Sequence, residues 1–322
     1  MRHRLVVAAL AAVCTLAPQL AASQAYPGKA IRFIVPFAPG GGNDILGRIV
    51  AQKLSQSFGV PVVVDNRPGA GGTLGTDITA KSQPDGYTLL INNLSVAVNV
   101  TLYSKLPFDP LKNLQTISLV GRQPNILVVH PTLPAKSWRE LQALAKKNPG
   151  QLAFSSGGVG SSSHLAGELL KVVAGIDMVH VPYKGMGPAL IDLISGQVQL
   201  AMATLASALP HVRSQRMRPL AVSTAERVAV VPDVPTLREA GLREYEHSTW
   251  YGLFVPAGTP RPVVERLNDT VRKIVTSDDV KQKFSPQGVE PASNSPEEFR
   301  AFLTAEIAKW AKVVKGAGLR AN

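Results

Sequence analysis

Cysteine is nearly missing from this chain: its 322 residues include one, Cys14. That residue sits in an apolar N-terminal run. Arg2 and Arg4 precede the run Leu5 to Leu16, and Ser23-Gln24-Ala25 supplies small residues for cleavage, so residues 1–25 have the pattern of a secretory signal peptide. A lipid anchor at Cys14 fits poorly, because bulky Val13 stands before it and the apolar run ahead of it is short. With the signal removed no thiol remains, so an oxidising compartment poses no hazard and no disulfide is available. Later apolar runs are too short to cross a bilayer. The expected product is periplasmic and stands free of the membrane.

Aromatic residues are also scarce, at 6%, whereas the chain carries 27 glycines and 25 prolines, as many short strand-to-helix connections require. Nearly 300 mature residues suit two α/β domains better than one core. Long basic tracts are absent. The formal charge is +12, and +10 without Arg2 and Arg4, yet no run exceeds Lys146-Lys147 or Arg272-Lys273 and no aromatics interleave them. Such scattered charge excludes a nucleic-acid partner but suits attraction of small acids.

Catalytic and cofactor signatures are missing as well. No GxxxxGK[ST] occurs, and in Gly69-Ala70-Gly71-Gly72-Thr73-Leu74 a leucine occupies the last glycine position of GxGxxG. His130, His164, His180, His211 and His247 stand far apart without HExxH or HxH, so no metal is expected. A secreted hydrolase would use Ser161 as nucleophile and His164 as base, three residues apart at a helix start. Against it, the G-x-S-x-G elbow is absent, three serines compete, and helix capping explains the same hydroxyls. Tyr183 and Lys184 are adjacent, unlike a Tyr-x-x-x-Lys pair, and Tyr183 reads better as a cleft wall. Trp250 and Tyr251 read as buried aromatic area.

What the chain does contain is a recurring unit of strand, glycine turn and helix start. Ile31 to Val35 is a strand, Gly40-Gly41-Gly42 a turn, and Ile45, Leu46, Ile49, Val50 and Leu54 a helical face with Asn43 or Asp44 as N-cap. Free amides at such a helix start attract anions, although a plain α/β connection has the same form. Strand Val60 to Val64 leads into Asn66-Arg67-Pro68-Gly69-Ala70-Gly71-Gly72-Thr73, and strand Thr88 to Ile91 ends at Asn92, Asn93 and Ser95. Strands at Ile117–Val120 and Ile126–Val129 flank a turn, Gly121-Arg122-Gln123-Pro124, and His130 to Pro134 reads as a linker or crossing point. A second series follows. It has a capping box at Ser137 and Glu140, the turn Ser155 to His164, the turn Pro182 to Pro188, and strand Gln199 to Ala203 with a helix from Thr204. Thr249 to Val255 then carries the chain back to the first half. The tail is helical, with Ser295 as N-cap, Pro296 first in the helix and Glu298 as box partner.

The ordered set Ile34-Val35-Pro36-Phe37-Ala38-Pro39-Gly40-Gly41-Gly42-Asn43-Asp44, Asn66 to Gly72, Pro84-Asp85-Gly86-Tyr87, His180-Val181-Pro182-Tyr183-Lys184-Gly185, Pro232 to Thr236 and Pro256 to Pro260 closely resembles the Bug (Bordetella uptake gene) family. These are periplasmic solute receptors of tripartite tricarboxylate transporters. The resemblance implies an α/β, type II periplasmic-binding-protein-like (Venus flytrap) fold, with lobe 1 formed by residues 26–126 and 248–322, lobe 2 by 127–247, and crossover hinge strands between them. It implies a monomeric receptor without cofactor, not an enzyme, that closes on a small carboxylate and meets membrane permease subunits; an orphan sensor receptor is the alternative.

Ligand contacts implied by the resemblance run from Phe37, Ala38 and Pro39 through Gly40, Gly41, Gly42, Asn43 and Asp44, then Gly71, Gly72 and Thr73. From the other lobe they are Gly157, Val159, Gly160, Ser161 and Ser162, with His164 nearby. Variable wall positions are expected at Asn92, Ser95, Tyr183, Met186 and Thr204. Where many relatives place an acidic-amide pair this chain has Ala203-Thr204, and Asn99-Val100 stands near where they have Asn-Pro. The first change predicts a weaker preference for ligands bearing an ammonium group.

Overall fold

The computed structural model describes residues 26–316 and 318–321; the signal expected over residues 1–25 lies outside them. Strand β1 (Ile31–Val35) enters helix α1 (Gly42–Phe58), followed by β2 (Val62–Asn66), α2 (Thr73–Ala80), β3 (Thr88–Asn93), α3 (Ser95–Leu102), the short α4 (Pro110–Asn113) and β4 (Leu114–Val129). The second series is α5 (Trp138–Lys147), β5 (Ala153–Ser156), α6 (Ser162–Ala174), β6 (Val179–Pro182), α7 (Met186–Ile194), β7 (Leu200–Thr204), α8 (Leu205–Arg213) and β8 (Arg218–Val222). The chain returns through β9 (Ser248–Pro256) to α9 (Arg261–Thr276), α10 (Asp278–Phe284), β10 (Glu290–Pro291) and α11 (Pro296–Gly316).

The strands form one hydrogen-bonded path, β2-β1-β3-β9-β4-β7-β5-β6, with β8 and β10 also paired to β4. β1 runs parallel to β2 and β3, and β5 parallel to β6 and β7, so each half holds its own parallel set. Parallel strands are covered on both faces, hence the continuous apolar runs. In β1, Ile31, Phe33 and Val35 pack with Leu46, Val50 and Leu54 of α1, while Ile34 joins Leu90, Phe254 and Phe299 on the opposite face. The second half is built likewise, with Trp138, Leu141, Phe154 and Leu170 on one face and Leu190, Leu193, Ala201 and Leu209 on the other.

The halves are joined by β4, a single strand where the residue pattern predicts two. Gly121-Arg122-Gln123-Pro124 is not a turn: Arg122, Gln123 and Pro124 pair with Trp250, Thr249 and Ser248 of β9, and two register shifts earlier in the strand absorb the irregularity. Beyond Pro124 the same strand pairs with β7 and β8. A glycine and a proline signal a break only when no partner strand runs alongside, and here β9 does. The change of partners occurs inside β4, ahead of His130–Pro134.

Helix ends follow local chemistry closely, with two differences. Gly41, not Asn43 or Asp44, is the N-cap of α1, because Asp44 lies in the first turn and accepts the Gly40 amide at 3.1 Å. At α5 the Ser137 hydroxyl accepts from the Glu140 amide, but Glu140 reaches back to the Lys136 amide instead of that of Ser137. The box at α11 is reciprocal: Glu298 N donates to Ser295 Oγ at 3.1 Å and Ser295 N to Glu298 Oε2 at 2.8 Å. Ser295→Ala is expected to lower stability by about 1 kcal/mol, read as a shift in the urea midpoint. An unchanged midpoint would mean that packing alone holds this helix.

Candidate functional site

A small cavity of about 30 Å³ lies where the halves meet. Phe37, Gly41, Gly42, Asn43, Asn93 and Tyr251 line it from the first half, and Gly157, Ser161, Ser162, Ser163, Met186 and Thr204 from the second. Most of these residues cap or begin helices. Gly41 precedes α1, Ser161 caps α6, Met186 opens α7 beside its Gly185 cap, Thr204 caps α8, and Asn93 stands just before α3. The first amides of a helix have no carbonyl partner within it, and the aligned peptide dipoles make that end positive. Helix starts from both halves therefore present donors to one volume, while no charged side chain lines it.

The halves are in intimate contact around this cavity. Ala38 N donates to Lys184 O at 2.9 Å, and the Tyr103 hydroxyl to Val159 O at 3.2 Å. A Cβ on Gly71 would lie 1.9 Å from Val159 O, and one on Gly187 2.0 Å from Pro39 O. Backbone meets backbone across the seam because glycine has no Cβ to hold it off. This is a closed arrangement.

The expected site residues fall into three sets. Phe37, Gly41, Gly42, Asn43, Gly157, Ser161, Ser162, Met186 and Thr204 line the cavity. Ala38, Pro39, Gly40, Gly71, Val159 and Gly160 form the seam beside it. The remainder stand behind the lining. Gly72 backs Phe37, Thr73 accepts from Asn99, Asn92 donates to Thr76 at 2.9 Å, Ser95 donates to Asn92 at 3.0 Å, and the Tyr183 hydroxyl donates to Asp192 at 2.7 Å. Asp44 also belongs here, bonded to Arg48, Asn66 and the Gly40 amide. Burial opposes its ionisation, but those bonds outweigh burial and hold its carboxyl below the usual range. Its charge is thus met by Arg48 and does not cancel the field at the start of α1.

Ser163 and Tyr251 line the cavity without a sequence signal for it, and Asn93 lines it where Asn92 and Ser95 are the expected wall positions. Alternation along β3 puts Asn92 and Asn93 on opposite faces, but not which face meets the cavity. Tyr251 reads as buried area in the sequence, and it is 0% exposed, yet it borders the cavity while donating to Gln123 Oε1 at 3.0 Å.

The nucleophile and base of the hydrolase reading do not pair. Ser161 Oγ accepts the His164 amide as a helix cap and meets Ser163 Oγ, while His164 Nδ1 accepts the Gly160 amide at 3.2 Å. The His164 ring lies against His180, with centroids 4.2 Å apart. Burial, assisted by Lys171, pushes His164 down to about 4. Glu168 Oε1 stands 3.9 Å from His164 Nε2, too far for a hydrogen bond, and burial shifts Glu168 toward its neutral form too. Among the described residues no group of three or more His, Cys, Asp and Glu is placed to hold a metal ion, and no helix is long and apolar enough to cross a membrane.

Comparison with known proteins agrees with this geometry. Residues 46–319 match the tripartite tricarboxylate transporter family receptor, TctC. Protein BugT of Bordetella pertussis is 40% identical over 297 residues, covering 92% of this chain and 91% of that protein. The structure of R. palustris Rpa4515 with adipate superposes with a TM-score of 0.89 at 36% identity, covering 92% of this chain and 99% of the other. MatC (Rpa3494) from Rhodopseudomonas palustris with bound malate gives 0.85 at 32% identity, covering 90% and 100%. The two-lobed fold, the cavity of uncharged helix starts and these matches lead to one conclusion: the chain belongs to the tripartite tricarboxylate transporter receptor family, whose members are periplasmic solute-binding receptors and not enzymes.

Proposed function

We propose that this receptor holds a small carboxylate in the cavity between its lobes, after export by a cleaved signal peptide, and delivers it to the membrane permease subunits of a tripartite transporter. The observation that carries this reading is the convergence of helix N-termini from both lobes on a volume without charged side chains. Each helix end favours an anion by about 0.3–1 kcal/mol, and more where water is excluded. Ligand contacts from both lobes exist only when the lobes are closed, so binding shifts the population toward closure and presents a changed surface to the permease. Adipate and malate in structural relatives support a dicarboxylate-sized ligand.

Native mass spectrometry of protein purified without denaturation is expected to show one retained small acid, and calorimetry with di- and tricarboxylates one site per chain. The acid should be recovered unchanged after incubation. Absence of retained ligand together with no heat from any acid of the panel would overturn the proposal.

A further inference from the structure

Strand β9 crosses between the halves with two working faces. Successive residues point to opposite sides, so Thr249, bonded to Ser162, and Tyr251 turn toward the cavity, while Ser248 and Trp250 line a separate groove behind the strand. That groove is walled by α11 from the first half and by Leu169, Glu244 and Glu246 from the second. Glu306 of α11 stands in it with a side chain 13% exposed. Its Oε2 accepts the indole N–H of Trp250 at 2.8 Å and that of Trp310 at 3.1 Å, and Lys309 Nζ lies 3.6 Å from its Oε1. Trp250 and Trp310 are 4% and 5% exposed, and an indole nitrogen only donates, so one carboxylate oxygen supplies the partner of both. Bonds to an ionised acceptor are about twice as strong as those between neutral groups.

Each indole leads to the same residue of the cavity. Trp250 is flanked in β9 by Tyr251, which lines the cavity, and by Thr249, whose hydroxyl is bonded to Ser162 Oγ. Trp310 meets His247 edge to face with ring centroids 5.8 Å apart, and His247 Nε2 lies 3.3 Å from Ser162 Oγ. Ser162 is the first residue of α6 and lines the cavity. Leu165, three positions further along α6, joins one apolar cluster with Trp250, Trp310, Phe299 and Leu303. Two chains of contact therefore run from a single carboxylate behind β9 to the start of a helix in the second lobe, although Glu306 itself does not reach the cavity.

We propose that Glu306 is a positioning residue for ligand binding: it anchors the Trp250 and Trp310 indoles and thereby holds the start of α6 against β9, with the α6 amides facing the ligand. This rests on the carboxylate-receptor reading. An apolar side chain at position 306 would leave two buried donors unpaired, and the rings would turn toward water in the groove to satisfy them. The seat under His247 and the line of β9 would move with the rings. The second lobe would then close with its α6 amides out of place.

Calorimetry of the native protein with malate, adipate and citrate selects the acid bound most tightly, and that acid is the probe. Glu306→Leu is expected to weaken its binding about tenfold. Glu306→Gln keeps an oxygen for both indoles but no charge and should lose about threefold; it carries the test if the leucine variant does not fold. A purely structural role would lower stability as well, so the deciding measurement is a double-mutant cycle with Ser162→Ala, which cuts both chains of contact at their end but keeps the α6 amides. In that background Glu306→Leu should cost about twofold or less, and Glu306→Gln nothing measurable. Native affinity in the position 306 variants, or the same loss with and without the Ser162 hydroxyl, overturns the inference and leaves the receptor reading standing. No binding of any of the three acids by the native protein overturns both.

Discussion

Gly187→Ala is expected to weaken ligand binding about a hundredfold or more while leaving the ligand-free protein folded. In the closed structure the added methyl would lie 2.0 Å from Pro39 O and 3.1 Å from Pro39 C, backbone atoms of the opposite lobe that cannot rotate away. Gly187 itself sits in the first turn of α7 without a positive φ, so alanine meets no strain there and is the better helix former by up to about 1 kcal/mol. The lesion falls on closure alone. A ligand contacting both lobes would lose one lobe's donors, and a hundredfold loss corresponds to about 2.7 kcal/mol. Small-angle scattering with saturating ligand should show the variant remaining open where the native protein contracts, and thermal unfolding without ligand should be unchanged or slightly later. Native affinity in Gly187→Ala would mean that the lobes need not meet at this seam to hold a ligand.

Between pH 7 and pH 5 the ligand-free protein is expected to lose roughly 5 kcal/mol of stability, well above the range in which carboxylates titrate. Three histidines stand as neutral rings, His164 and His247 buried and His180 half-buried. Burial pushes His164 down to about 4, with Lys171 adding to the shift; burial pushes His180 to about 3, helped by His164 and Lys171; and burial with Lys309 pushes His247 to about 3. Unfolded, each returns to about 6.5. Above that value all three are neutral in both states, and their full contribution is present. As pH falls through 6.5 the unfolded chain takes up protons that the folded chain refuses, at up to about 1.4 kcal/mol per unit for each ring. His164 and His180 face one another, so the second proton of that pair is resisted further. Guanidinium midpoints at pH 7 and pH 5 measure the effect, and His247→Gln should remove about a third of it. Equal midpoints would show that the rings are protonated within the fold.

Much of this architecture is legible in the residues because its cues are local. The alternation of apolar strands with glycine turns and helical stripes, the reciprocal cap at Ser295, and the clustering of Gly40 to Gly42 and Gly157 to Ser162 at helix starts depend on neighbours within a few positions. The motif order from Ile34 to Pro260 carries the family in the same way. β4 is the instructive exception: Gly121 and Pro124 read as a break, and only the presence of β9 alongside makes them part of one strand. Tyr251 is another, since a fully buried tyrosine looks the same in sequence whether it fills a core or walls a cavity.

The sequence by itself determined the class of fold, the export expectation and the chemistry of the anion-binding corners, because backbone torsion, capping and hydrophobic period are set by short stretches of chain. Tertiary structure decided which corners share a cavity and which glycines instead form the seam. Those are properties of residues far apart in the chain, as with Gly187 and Pro39, whose backbones meet only when the two lobes close.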